Sequence, residues 1–112
     1  MSESSASLMS GVPELMVLTL LAGREMYGYE LARRIRTLTT DAISVGESVL
    51  YPSLHILEKR GLIRGKRRMV EGRTRVYYAV TAKGRRRLEH LKTHWRRISD
   101  GVEAVLEGAR HA

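Results

Sequence analysis

The sequence predicts a mainly α-helical fold that contains one small β-hairpin. Apolar residues recur at helical spacing in four segments, whereas polarity alternates residue by residue only between positions 73 and 80. The chain has 112 residues, which suits one domain, and 43% of them are apolar, which suffices for a core. It contains no Cys, no apolar run near the ~20 residues of a membrane span, and no secretory signal pattern, so we expect a cytoplasmic protein.

Charge is concentrated in one stretch of the chain. The net charge is +8, from 20 Lys and Arg against 12 Asp and Glu. Residues 62–97 hold 13 of these cations and only 2 of the acids. Clustered cations displace the counterions condensed on nucleic acid, so double-stranded DNA is the first partner to test. A solvated basic helix face is the alternative.

The first ten residues are small and polar and are expected to form a flexible arm. A helix start is expected near Pro13, because proline is tolerated where the first amides of a helix are unpaired. This helix, which includes Val12, Leu15 and Met16, is apolar on nearly every side. Such a helix is covered on two sides, and we expect a second subunit to provide one cover.

The second and third helices each combine a buried stripe with a polar outer face. In the second helix, which opens at Tyr27, the stripe is Leu31, Ile35 and Leu38, and in the third, from Glu47 to Arg60, it is Leu50, Leu54 and Leu57. The residues expected to face outward are Tyr29, Arg33 and Arg36 in the second helix, and Ser48, Pro52, His55 and Lys59 in the third, with Tyr51 on its flank. Gly61 then has the form of a helix stop.

Two β segments follow, at residues 62–69 and 73–80. The second alternates regularly in polarity, as in a hairpin with one solvated face. One acid, Glu71, stands among six cations of the hairpin, which are Arg64, Lys66, Arg67, Arg68, Arg73 and Arg75.

The last helix is expected to begin after Thr81, a natural N-cap, and to end near Glu107. Apolar residues within it are spaced alternately by three and four, as in a seam between paired helices. The members of this seam are Leu88, Leu91, Trp95, Ile98, Val102 and Val105. Packing of the seam on the core of its own domain is the alternative.

The order of elements is that of a winged helix-turn-helix followed by a long C-terminal dimerisation helix. The expected division is an arm at 1–10, a DNA-binding domain at 11–80, the dimerisation helix at 81–108 and a tail at 109–112. In such a module the third helix enters the major groove and the hairpin, or wing, lies along the neighbouring backbone. We therefore expect DNA contacts from the outward residues of both helices and from the wing.

Several motifs resemble the PadR family of bacterial transcriptional regulators. They are Tyr27-Gly28-Tyr29-Glu30-Leu31, Ser48-Val49-Leu50-Tyr51-Pro52-Ser53-Leu54, Leu57-Glu58-Lys59-Arg60-Gly61-Leu62-Ile63, Tyr77-Tyr78 and Thr81-Ala82-Lys83-Gly84. The chain is similar to the short subfamily, which has a single C-terminal helix. The resemblance implies a homodimeric repressor of a palindromic operator, released in many members by a small aromatic effector. It also implies that Tyr29 and Tyr51 lie near the DNA backbone and that Ser48 begins the groove helix.

Two further features of the last helix have competing interpretations. Trp95 offers a stacking surface for a planar effector, or it packs in the dimer interface. His90 and His94 share a face and have the spacing of two metal ligands, but two ligands do not complete a site, and a solvated flank is favoured. We expect neither a metal nor a cofactor.

Catalysis has little support in the sequence. Paired carboxylates, a nucleophile turn and a glycine-rich phosphate loop are all missing, so we expect no enzyme. The alternative to a DNA-binding regulator is a winged-helix adaptor that binds an acidic protein partner through the same basic face.

Overall fold

The computed structural model describes the backbone of residues 2–110 and the side chains of residues 11–110. Its helices and strands, in chain order, are α1 (Ser2–Gly23), β1 (Met26–Tyr27), α2 (Gly28–Leu38), α3 (Glu47–Lys59), β2 (Ile63–Val70), β3 (Arg73–Val80) and α4 (Ala82–Arg110). The predicted fold class is confirmed: a mainly helical chain with a small sheet and a long C-terminal helix. No helix in the described part of the chain combines the length and the apolarity of a membrane span.

Helix α1 begins earlier than expected. The backbone is helical from Ser2, and Pro13 lies inside the helix, so the expected start at Pro13 is wrong and residues 2–10 belong to α1 instead of a flexible arm. None of residues 2–10 is Gly or Pro, so this segment contains no residue that stops a helix. At the other end, α4 extends to Arg110, and the rest of the expected tail, residues 111–112, lies outside the described residues.

A third strand, β1, was not expected. Met26 pairs with Tyr78 and Tyr27 with Tyr77, which gives an antiparallel sheet in the order β1-β3-β2. Two residues are too few to show alternation, and the sequence suggested only a break between helices. The strand nevertheless joins the start of α2 to the wing.

The wing is a regular hairpin closed by a two-residue turn. Its register runs from Ile63 opposite Val80 to Val70 opposite Arg73. The turn residues Glu71 and Gly72 both have positive φ, at 51° and 77°. This is the combination of a type I′ turn, whose twist matches that of the flanking strands.

The core lies between α1, α2, α3, the base of the sheet and the first turns of α4. The predicted inward residues of α3 are all buried, and Leu31 and Ile35 of α2 are buried with them. Leu38 is the exception among the predicted inward residues of these two helices, because it is 58% exposed at the last position of α2, beyond the elements that cover Leu31 and Ile35.

The end of α3 and the start of α4 are joined by hydrogen bonds of Thr81. Gly61 has φ 78°, and the N–H of Leu62 bonds the carbonyl of Leu57 at 2.9 Å, which is a Schellman stop. Thr81 Oγ1 donates to the Gly61 carbonyl at 2.6 Å and accepts the Gly84 N–H at 3.0 Å, so Thr81 is the N-cap of α4. One threonine thus links the two helices.

Candidate nucleic-acid interface

The outer face of α3 is open to solvent along its whole length. The residues on it, Ser48, Pro52, His55 and Lys59, are all exposed. They lie opposite the buried leucines, as the helical spacing predicts. The structure therefore leaves these four side chains free to enter a groove.

Tyr51 is held at the side of α3 by the start of α2. A Cβ atom at Gly28 would lie 2.7 Å from Cε1 of Tyr51 and 2.9 Å from its hydroxyl oxygen, so the ring packs directly on the Gly28 backbone. Tyr51 remains 43% exposed. Sequence reasoning did not assign a role to Gly28, because nothing in the local sequence shows which side chain packs on it.

The outer face of α2 extends the same surface. Tyr29 is 58% exposed, and Arg33 and Arg36 are exposed as expected. Glu30 fixes the first turn of α2. Its carboxylate accepts a hydrogen bond from the Tyr27 N–H at 3.4 Å and forms an ion pair with Arg24 at 2.8 Å. Glu30 at the third position of α2 thus binds the backbone of its N-cap residue, Tyr27.

The hairpin register divides the wing cations between two faces. Residues directly opposite each other across the hairpin share a face, so Lys66 and Tyr77 lie together, as do Arg68 and Arg75. Arg67 opposes Val76 and lies on the other face. That face continues at the base of the wing to the buried Ile63.

Arginine and tyrosine side chains interleave on the face that carries Arg68 and Arg75. The Arg75 guanidinium lies 4.5 Å from the centre of the Tyr27 ring, and that of Arg68 lies 4.8 Å from the centre of the Tyr77 ring. The two rings meet edge to face at 5.3 Å. Arg68 also forms an ion pair with Glu25. A hydrogen bond with the Tyr77 side chain raises the pKa of Arg75.

These contacts change the expectation for two of the six wing cations. Arg68 and Arg75 stabilise the wing within this chain, whereas Arg64, Lys66, Arg67 and Arg73 are exposed and have no ion-pair partner among the described side chains. The pairing of β1, β2 and β3 brings these arginine and tyrosine side chains together, and local sequence does not reveal that pairing.

An open cleft of about 510 Å³ lies between the start of α2, α3 and the wing. Its lining is mainly aromatic and basic and includes Tyr27, Tyr29, Tyr51, Arg73, Arg75 and Tyr78. Burial raises the pKa of the Tyr78 phenol, and the neighbouring Glu58 and Tyr51 raise it further, so this ring is neutral at physiological pH. The cleft thus offers hydroxyl and guanidinium groups to one ligand surface.

Glu58 positions the wing against α3. Its carboxylate accepts the Gly65 N–H of β2 at 3.0 Å. A Cβ atom at Gly65 would lie 3.1 Å from the same carboxylate oxygen, so a side chain there would crowd the contact. The sequence did not predict this role for Glu58 or Gly65, because the hydrogen bond joins two different elements, α3 and β2.

The basic stretch at 62–97 is divided between the wing and α4. Seven of its 13 cations lie in α4, which follows the hairpin directly. Arg87 binds Glu14 of α1 through two hydrogen bonds, at 3.1 and 3.3 Å, and Lys92 pairs with Glu89. Part of the positive charge therefore stabilises the fold.

The predicted dimer seam divides into a buried and an exposed part. Leu88 and Leu91 are buried in the core of this chain, which leaves little of their surface for a second subunit. Trp95, Val102 and Val105 are 42%, 53% and 71% exposed. The rest of the predicted set, Val12, Leu15, Met16 and Ile98, is partly buried.

The two histidines of α4 remain alone. His90 and His94 are both exposed. Among the described residues, no three His, Cys, Asp or Glu side chains come together in a way that could hold a metal ion.

Comparisons with known proteins agree with this architecture. Residues 17–90 match the model of the transcriptional regulator PadR-like family. The chain is 33% identical over 97 residues to the transcriptional regulator Rv3488 of Mycobacterium tuberculosis, across 87% of this chain and 85% of that one. A PadR-like transcriptional regulator from Bacillus cereus superposes with a TM-score of 0.75 at 33% identity, covering 89% of this chain and 96% of that one. A PadR family transcription regulator from Clostridium difficile has a TM-score of 0.74 at 28% identity, over 86% and 99%. The chain belongs to the PadR-like family of transcriptional regulators.

Proposed function

We propose that this regulator is a homodimeric repressor that reads a palindromic operator with α3 and grips the neighbouring backbone with the wing. The observation that carries the proposal is the placement of the exposed outer face of α3 beside a wing with four exposed, unpaired cations. Polar groups on α3 suit base edges, and wing cations suit phosphates. Tyr29 and Tyr51 flank the two surfaces and fit the sugar-phosphate backbone.

Selection of bound fragments from random duplex DNA tests this proposal. A regulator of this kind recovers an inverted repeat whose half-sites are about one helical turn apart. Its affinity falls with salt with a log-log slope of roughly −0.9 per phosphate contacted. Failure to enrich any duplex, or binding that is insensitive to salt, would favour the adaptor that binds an acidic protein.

Two unpartnered apolar surfaces support the homodimer. One is the distal half of α4, where Val102, Val105 and Leu106 are more than half exposed. The other is a groove between α1 and α2, lined by Leu15, Met16, Thr19, Leu20, Ile35, Leu38 and Thr39. Contiguous exposed apolar surface is typical of protein interfaces. Sedimentation at micromolar concentration should therefore show a dimer, and a monomer would contradict the proposal.

A small aromatic effector fits best beside Trp95. An open cleft of about 340 Å³ there is lined by Leu15, Lys92, Trp95, Arg96, Ser99 and Asp100. It combines an exposed indole with two cations and one acid, which suits a planar ring that carries polar groups. Quenching of Trp95 fluorescence by flavins, phenolic acids or planar dyes tests the site. If none of these quenches it, ordinary packing of Trp95 in the interface is the better explanation.

A further inference from the structure

Helix α3 carries an apolar stripe on its solvent side that base-edge hydrogen bonding does not use. Val49 is 51% and Ile56 54% exposed, and the exposed Pro52 lies between them at spacings of three and four. Residues at these spacings share one helix face. Single exposed apolar residues are ordinary, but three along one exposed face of the proposed DNA-binding helix form a surface.

The surroundings of the stripe indicate what it binds. His55 and Lys59 border it, and no acidic residue occurs in α3 between Ser48 and Leu57. The two carboxylates of α3 flank this span: Glu47 is the first residue of the helix, and Glu58 is bonded to the wing. A surface that is apolar, bordered by cations and free of acids matches a polyanion that displays apolar groups.

The major groove of DNA displays one such group, the C5-methyl of thymine. Seven residues of helix separate the ends of the stripe, which is roughly 10 Å at 1.5 Å per residue. That length spans about three base steps of ~3.4 Å. Two or three thymine methyls within one half-site would therefore reach the stripe together.

We propose that Val49, Pro52 and Ile56 form a thymine-reading surface and make this regulator prefer thymines at two or three neighbouring positions of each half-site. The proposal rests on the proposed DNA-binding function. It adds apolar readout to the hydrogen bonds expected from Ser48 and His55.

The test uses the duplex enriched from the random library. Each thymine of a half-site is replaced singly by dU, which removes only the methyl group and keeps base pairing. Loss of one buried methyl is expected to weaken binding about fourfold, from the ~0.8 kcal/mol of a CH₂-sized group. Two or three adjacent positions should respond, and the remaining thymines should not.

Substitutions then connect each methyl to its side chain. Val49→Ala and Ile56→Ala should each abolish the discrimination between thymine and dU at one position, which is a coupling measured by a double-mutant cycle. Both side chains are half exposed, so the variants should keep the thermal stability of the parent protein. His55→Ala is the control, because it should weaken binding to the thymine and dU duplexes by the same factor.

The outcomes separate the two proposals. An operator in which every thymine tolerates dU overturns the thymine-reading surface and leaves the regulator intact. Unchanged discrimination in both alanine variants, with weakened dimerisation, also overturns it and assigns the stripe to a protein interface. Failure to enrich any duplex overturns both proposals.

Discussion

Replacement of Gly84 by Ala tests how α4 is attached to the winged helix. A Cβ atom at Gly84 would lie 2.0 Å from the Leu62 carbonyl oxygen and 2.8 Å from Cγ2 of Val80. The carbonyl belongs to the turn after α3 and accepts the Thr81 N–H at 3.1 Å. A backbone atom in a bonded turn cannot rotate away as a side chain does, so α4 has to shift.

The expected loss of stability depends on which atom the new Cβ would meet. Overpacking of a core costs typically ~1–3 kcal/mol, and more where nothing yields. Because the contact is with backbone, we expect the Gly84→Ala variant to lose about 3 kcal/mol of the free energy of unfolding. For a domain of this size that corresponds to a fall in Tm of roughly 15 °C.

Gly101 of the same helix provides a matched control. A Cβ atom there would meet no atom of this chain within 4 Å. Gly101→Ala should therefore raise stability by up to ~1 kcal/mol through helix propensity alone. Urea and thermal unfolding, followed by circular dichroism at one protein concentration, measure both variants, since the stability of a dimer depends on concentration.

A free energy of unfolding of Gly84→Ala within about 1 kcal/mol of the parent protein would contradict a clash with the backbone, which should cost more. Equal losses from Gly84→Ala and Gly101→Ala would also refute it, because the effect would then belong to α4 in general and not to its contact with Leu62.

Three other experiments probe contacts in and around the site. Glu14→Gln should lower the free energy of unfolding in urea by about 1–3 kcal/mol, because it removes a largely buried negative charge that Arg60 and Arg87 share. Glu89→Gln is the control: this residue is exposed, and its loss of charge should change stability by less than ~0.5 kcal/mol. In filter-binding titrations, Arg67→Ala should weaken binding to all DNA sequences more than Arg68→Ala, because the guanidinium of Arg68 is already paired within the chain. The reverse order would contradict the structural role given to Arg68. Gly28→Ala should displace the Tyr51 ring, which packs on Gly28, and weaken operator binding more than tenfold while the fold is retained. Unchanged affinity would show that Tyr51 does not contribute to DNA binding.

Local patterns accounted for most of the fold. Helical spacing placed the buried leucines of α3, and Gly72 with two strand-like flanks predicted the hairpin that is observed. Failures occurred where no local pattern exists. Strand β1 is two residues long, and Leu38 lies at the end of α2, where periodicity no longer says what covers a side chain.

The candidate site was predictable in its members but not in their connections. The exposed residues of α3 follow from periodicity, as do Tyr29 and the wing cations. Contacts between elements do not, such as Tyr51 on Gly28 or Glu58 on Gly65. Clustered charge alone does not say what a cation binds. Arg87 lies in the same basic stretch as the wing cations, but its side chain binds Glu14.

Helix α3, the proposed reading helix, is connected to both helices of the proposed dimer interface. Arg60, at the end of α3, and Arg87 of α4 share the carboxylate of Glu14 in α1, whose side chain is only 12% exposed. The adjacent residue Leu15 lines the cleft beside Trp95. A ligand that shifts α1 at Leu15 would therefore move the carboxylate that holds the end of α3. In the proposed dimer such a movement would change the separation of the two α3 helices, which operator spacing requires to be constant. Ligand-induced release would then need no contact between the effector and the DNA-facing surface.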